Sequence, residues 1–109
     1  MFFKKSGIDV ATASERSATQ GLLIDVRTKA EWRSGHAPAA THVSLDSLQQ
    51  RMDWLKRAAA GGEVMVICRS GNRSSQATRQ LKAAGVDAVN VRGGMLAWER
   101  AGLPVKKGS

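Results

Sequence analysis

The sequence predicts an α/β domain with a mainly parallel sheet and helices on both faces, and three observations carry that expectation. Leu22-Leu23-Ile24-Asp25-Val26, Val64-Met65-Val66-Ile67-Cys68 and Ala88-Val89-Asn90-Val91 are short, nearly continuous apolar runs, the pattern of strands covered on both faces. Helix signals alternate with these runs, as the crossovers of a parallel sheet require. The chain has 109 residues and 42% hydrophobic content, which fits one compact domain that buries roughly two thirds of its unfolded surface.

Each element has its own local signal. Thr12-Ala13-Ser14-Glu15 and Thr28-Lys29-Ala30-Glu31 match the capping box, in which the threonine oxygen and the glutamate carboxylate satisfy free backbone donors, so two helices should start there. Leu45, Leu48, Met52 and Leu55 recur at helical spacing and predict a helix over residues 45–60. Residues 74–84 read as a helix stopped by Gly85. Gly93-Gly94 turns the chain into a last helix around residues 95–101, closed by Gly102 and Pro104. There is no internal repeat, low-complexity tract or Pro-rich linker, so the expectation is a single domain over residues 1–109, with 1–7 and 106–109 as tails.

Composition narrows the function. The net charge of +8 raises nucleic-acid binding, but the basic residues are scattered and lack interleaved aromatics for base stacking. A general attraction for small anions accounts for the charge without a polymer. No apolar run approaches the roughly 20 residues of a membrane span, and Met1-Phe2-Phe3-Lys4-Lys5 lacks the apolar core of a signal peptide. A soluble, cytoplasmic monomer is expected, without membrane or nucleic-acid partners. Cys68 is the lone cysteine, so no intramolecular disulfide forms. His36 and His42 have no metal-ligand spacing to other donors, and neither metal nor cofactor is expected. A lone cysteine is ordinarily a buried, inert small hydrophobe, and the residues around this one argue otherwise.

Residues 64–75 run from an apolar strand through the polar turn Cys68-Arg69-Ser70-Gly71-Asn72-Arg73 into a helix opened by Ser74. Such a loop can point successive N–H groups inward, where they and the helix dipole favour negative charge. A cysteine at its floor is stabilised as the thiolate, with a pKa in the range of about 3.5–7.5. Arg69 and Arg73 add donors suited to oxyanions. Arg73 has a second reading of equal weight, in which it pairs with Glu31 or Asp25 and braces the loop. Ser70 and Ser74 supply hydroxyl donors or favour the turn and cap, while Asn72 belongs to the loop and Gly71 shapes its backbone.

With these residues in view, the chain resembles the rhodanese family at three places. Leu23-Ile24-Asp25-Val26-Arg27 through Glu31-Trp32 and Gly35-His36-Ala37-Pro38 is similar to its first signature, Cys68 to Ser74 to its active-site loop, and Gly93-Gly94-Met95-Leu96-Ala97-Trp98 with Gly102-Leu103-Pro104-Val105 to its closing signature. The resemblance implies a five-stranded parallel sheet and a double-displacement sulfurtransferase. In such a cycle Cys68 takes sulfur from thiosulfate or a persulfide and hands it to cyanide, a thiol or a protein cysteine, with no metal or organic cofactor. It also implies supporting roles for Asp25, Arg27, Glu31 and His36, which would hold the first signature against the Cys68 loop by hydrogen bonds and ion pairs. Trp32 and Trp98 are expected to pack the core or pocket wall, Gly94 and Met95 to line the pocket mouth, and His42 to be a surface or packing residue. Four residues separate Cys68 from Arg73, one fewer than in the related phosphatases and arsenate reductases, and this shorter loop favours sulfur over phosphate or arsenate. The alternative to a thiosulfate enzyme is a sulfur-relay or regulatory module working with a protein partner.

Overall fold

A computed structural model describes residues 7–109; of the expected tail over residues 1–7, residues 1–6 lie outside the described residues. The sheet is parallel throughout, built from β1 (Leu22–Asp25), β2 (Thr41–His42), β3 (Val64–Ile67) and β4 (Ala88–Asn90) in the spatial order β2-β1-β3-β4. Among the described residues four strands therefore stand where five were expected. Beside β4, among the described residues, Ile8 makes a one-residue parallel bridge to Val91, and the next residue, Asp9, already caps a helix, so the extended run does not continue beyond Ile8.

Helices α1 (Val10–Thr19) and α5 (Gly94–Arg100) cover one face, and α3 (Met52–Ala59) and α4 (Asn72–Ala83) the other. Side-chain alternation along the strands sorts the core accordingly. Leu23, Met65 and Ile67 pack with Val10, Ala13, Met95 and Trp98, whereas Ile24, Val64 and Val66 pack with Leu48, Leu55, Ala77 and Leu81. Cys68 continues the second set, so strand parity aims its side chain toward α4.

Several local expectations shift. Asp9 accepts the Thr12 N–H at 2.8 Å, so α1 starts two residues before Thr12 and the first proposed capping box does not form. The second does form, with Thr28 and Glu31 reciprocally bonded at the start of α2 (Lys29–Ser34). The stretch over residues 45–60 is a 3-10 turn, Leu45–Ser47, then hydrogen-bonded turns, then α3; the apolar spacing survives because those turns keep nearly helical pitch, and Leu48, Met52 and Leu55 are all buried. At the other end, the segment expected as a tail over residues 106–109 is tied down. Lys106 exchanges two backbone hydrogen bonds with His36, and the Gly108 N–H donates to the Arg33 carbonyl. No helix among the described residues is long and apolar enough to cross a membrane.

Candidate active site

Cys68 is the first residue beyond the carboxyl end of β3, the position at which parallel α/β sheets place their ligands. The chain turns sharply through Gly71, whose φ of 118° suits glycine, and enters α4. That turn brings the Gly71 N–H to 3.0 Å from Cys68 Sγ, and the first turn of α4 sets the buried Ser74 hydroxyl 3.1 Å from the same sulfur. Burial pushes the thiol pKa up. The Ser74 hydroxyl and the amides of Ser74, Gly71 and Ser70 outweigh that and leave it below its ordinary value. The sulfur is thus prepared to carry negative charge. It is also deeply set, since Cys68 is only 1% exposed, and the shallow grooves on either side of the loop are lined by its neighbours: Ser70, Asn72 and Arg92 on one side, Arg69, Met95 and Leu96 on the other.

The loop is held from behind by α5. Met95 N–H donates to the Cys68 carbonyl at 2.8 Å and Leu96 N–H to the Arg69 carbonyl at 3.1 Å. Turning those carbonyls outward leaves the loop's N–H groups free to face the sulfur. This approach depends on Gly94, where a Cβ would come within 2.4 Å of the Cys68 oxygen and 2.5 Å of the Arg69 oxygen. Gly94 therefore sits behind the site rather than at its mouth, and Met95 is buried beside it.

The charged residues divide into two groups. Arg73 pairs with Glu31, not Asp25: Nη1 lies 2.7 Å from Oε1 and Nη2 2.8 Å from Oε2. Of the two open readings of Arg73, bracing is therefore the one its terminal nitrogens adopt. Arg69 is exposed, with no ion-pair partner among the described residues, as is the side chain of Asn72 at the first position of α4.

Asp25, Arg27 and His36 depart from expectation. Arg27 clasps the fully buried Asp25 through Nε and Nη2 and donates to the Gly35 carbonyl at 2.7 Å. His36 stacks on Trp32 at 3.5 Å and bonds the Trp32 carbonyl through Nδ1 at 2.7 Å. Their side-chain hydrogen bonds close the first segment on itself, since each has its partner between residues 25 and 36, whereas Glu31 reaches across to Arg73. His42 is a packing residue, stacked on Trp32 and bonded through Nε2 to the Arg27 carbonyl. Trp98 is buried and donates to the Pro104 carbonyl at 2.8 Å, and Trp54 carries the Arg51 guanidinium over its ring.

Asn90, at the end of β4, was missed. Its carboxamide receives the Ser74 hydroxyl proton on Oδ1 and donates to Ser75 Oγ from Nδ2. The available signal was one polar residue inside an apolar run, at a strand's carboxyl end.

The Rhodanese-like domain family profile matches residues 9–101. A sulfurtransferase of Allochromatium vinosum is 39% identical over 101 residues, covering 90% of this chain and 92% of the relative. Thiosulfate sulfurtransferase 18 of Arabidopsis thaliana is 36% identical over 110 residues, covering 90% and 81%. The crystal structure of a rhodanese-related protein from Thermoplasma volcanium superposes with a TM-score of 0.82 at 28% identity, covering 94% of this chain and 98% of that one. With the profile spanning most of the chain and the parallel sheet shared, this protein belongs to the rhodanese-like domain family, among relatives named as sulfurtransferases.

Proposed function

We propose that the protein moves sulfane sulfur from thiosulfate or a low-molecular-weight persulfide to a thiophilic acceptor through a persulfide on Cys68. The observation that carries this reading is the pair of groups at Sγ: the Gly71 amide, which donates to it at 3.0 Å, and the Ser74 hydroxyl at 3.1 Å, which can donate to it when the sulfur is unprotonated. They stabilise the thiolate that must attack and, afterwards, the anionic persulfide that must wait.

In the first half-reaction the Cys68 thiolate attacks the outer sulfur of thiosulfate. A sulfur–sulfur bond forms on Cys68, the bond to the sulfonate breaks, and sulfite leaves with its electron pair. In the second, cyanide or a thiolate attacks the terminal sulfur and Cys68 departs as the thiolate. The chain has no other cysteine to resolve the persulfide, so the acceptor comes from outside. A name given to one relative, thiosulfate sulfurtransferase, supports thiosulfate as donor. The exposed Arg69 beside the loop favours an anion's approach. A nucleophile on a residue that is 1% exposed suits reaction with a single terminal sulfur atom better than the embrace of a tetrahedral phosphate, and the four-residue span to Arg73 points the same way. A cysteine that must stay reduced belongs in a reducing compartment, here the cytoplasm.

The test is turnover with thiosulfate and cyanide, following thiocyanate, with glutathione persulfide and cysteine persulfide compared as donors. Cys68→Ser should abolish turnover with every donor. Undiminished activity in that variant would remove Cys68 from the reaction.

A further inference from the structure

The hydrogen bonds around Cys68 contain a proton-counting constraint. Ser74 Oγ lies between two partners, Cys68 Sγ at 3.1 Å and Asn90 Oδ1 at 2.5 Å, and its hydroxyl has one proton to give. In the arrangement present, that proton goes to Asn90 Oδ1. The contact with sulfur is then satisfied only if Cys68 keeps its own proton and donates it to Ser74 Oγ. This is the thiol state.

A thiolate inverts the requirement. With no proton on sulfur, Ser74 must donate to Sγ, which would leave the buried Ser74 oxygen facing Asn90 Oδ1 with no hydrogen between them. A half-turn of the Asn90 carboxamide relieves this, because its two ends are alike in shape and opposite in polarity. Nδ2 then donates to Ser74 Oγ, and Oδ1 accepts from the Ser75 hydroxyl, which in the first arrangement accepts from Nδ2 at 3.1 Å. Every donor again has an acceptor. The Asn90 main chain stays fixed throughout, paired with Val66 across the sheet and accepting the Ile8 N–H at 2.9 Å on the other side. The Gly71 amide donates to sulfur in both arrangements.

We propose that Asn90 is a positioning residue for sulfur transfer: by turning its carboxamide end for end, it directs the Ser74 proton either to itself or to Cys68, and so sets whether the sulfur is held as thiol or thiolate. The inference rests on the reading of Cys68 as the nucleophile. A carboxamide does what neither a carboxylate nor an apolar side chain can, since it accepts from Ser74 in one state and donates to it in the other.

Asn90→Asp separates this from a packing role. A carboxylate can only accept, so it retains the Ser74 proton and denies it to the thiolate. The Cys68 pKa, read from the pH dependence of alkylation by iodoacetamide, should rise by about one unit, a tenfold loss of thiolate at a given pH below the inflection. All alkylation reports on Cys68 because the chain has no other cysteine. Added negative charge alone would also raise the pKa, so the same change is made in a Ser74→Ala background. There the shift should fall to less than about half, because the intermediary is gone. Equal shifts in the two backgrounds, or none in either, overturn the proposal. A second measurement needs no Asn90 variant: the Asn90 side-chain amide resonances should titrate with the Cys68 inflection in the wild-type protein and lose most of that inflection in Ser74→Ala, and resonances flat across the inflection in the wild type also overturn it. Neither measurement requires sulfur transfer. Failure of thiosulfate to load Cys68 therefore strikes the proposed function, while an unmoved pKa in a protein that loads normally strikes Asn90 alone.

Discussion

Glu31 and Arg73, 42 positions apart, meet in a two-pronged ion pair at 2.7 and 2.8 Å that ties the first turn of α2 to the first turn of α4 beside the Cys68 loop. Glu31 also receives the Thr28 N–H at 3.1 Å, so one carboxylate both caps its own helix and anchors the loop. Arg73→Lys keeps the charge but loses the second prong. Stability in urea should drop by no more than about 1 kcal/mol for this partly exposed pair. The catalytic rate should fall further than that figure implies, by about tenfold, because a small displacement of the loop misdirects the sulfur. Steady-state kinetics beside urea unfolding check both.

The same pair sets an acid dependence. Arg73 first, with the Thr28 hydrogen bonds, holds the Glu31 carboxyl at about 2 against an ordinary value of 4.5. A depressed carboxylate stabilises the fold fully above its unfolded pKa and loses that contribution as pH falls through the folded one. The loss should therefore run from about pH 4.5 down to about 2. Glu31→Gln should flatten the stability profile in that window and leave its shape near neutrality alone, as thermal melts across the range would reveal.

Gly94→Ala should be severe. The added methyl group meets two backbone oxygens of the Cys68 loop, at 2.4 and 2.5 Å, and φ there is 55°. A loss on the order of 3 kcal/mol combines left-handed strain with a clash that only backbone movement relieves, and activity should fall with it. Gly102→Ala is the control. It has a φ of 72° but nothing within 4 Å, so about 1 kcal/mol of strain and unchanged kinetics are expected.

Arg27→Leu removes the side-chain partner of a fully buried carboxylate, Asp25. Breaking one side of such a pair costs about 3–5 kcal/mol. Adding Asp25→Asn should recover part of it, because the stranded charge is then gone; a double variant no more stable than the single would show that the charge is not what matters.

Much of this architecture was legible because burial on both faces writes itself as apolar runs, as in β1 and β3. β2 was not, since Thr41 and His42 are two partly polar residues held only by pairing with Ile24 and Asp25. The Ile8 bridge to Val91 is one residue long, too short to write a pattern. Thr12 illustrates competition between local signals, because Asp9 captured the cap first. In the site, the thiol loop could be read from Cys68, Gly71 and Ser74, whose chemistry is local. The direction in which charged side chains reach is not local, so the sequence alone does not choose between Glu31 and Asp25 for Arg73, nor show that the side chains of Asp25, Arg27 and His36 spend their hydrogen bonds within the first segment. Asn90 needed the tertiary fold to bring it to Ser74.

The central claim is that Cys68 carries the sulfur. Intact mass of the protein after incubation with thiosulfate and removal of excess reagent tests it most directly. The expected result is a gain of one sulfur atom, reversed by cyanide and absent in Cys68→Ser. An unchanged mass after thiosulfate and after each persulfide donor, or a gain that persists in Cys68→Ser, would contradict it.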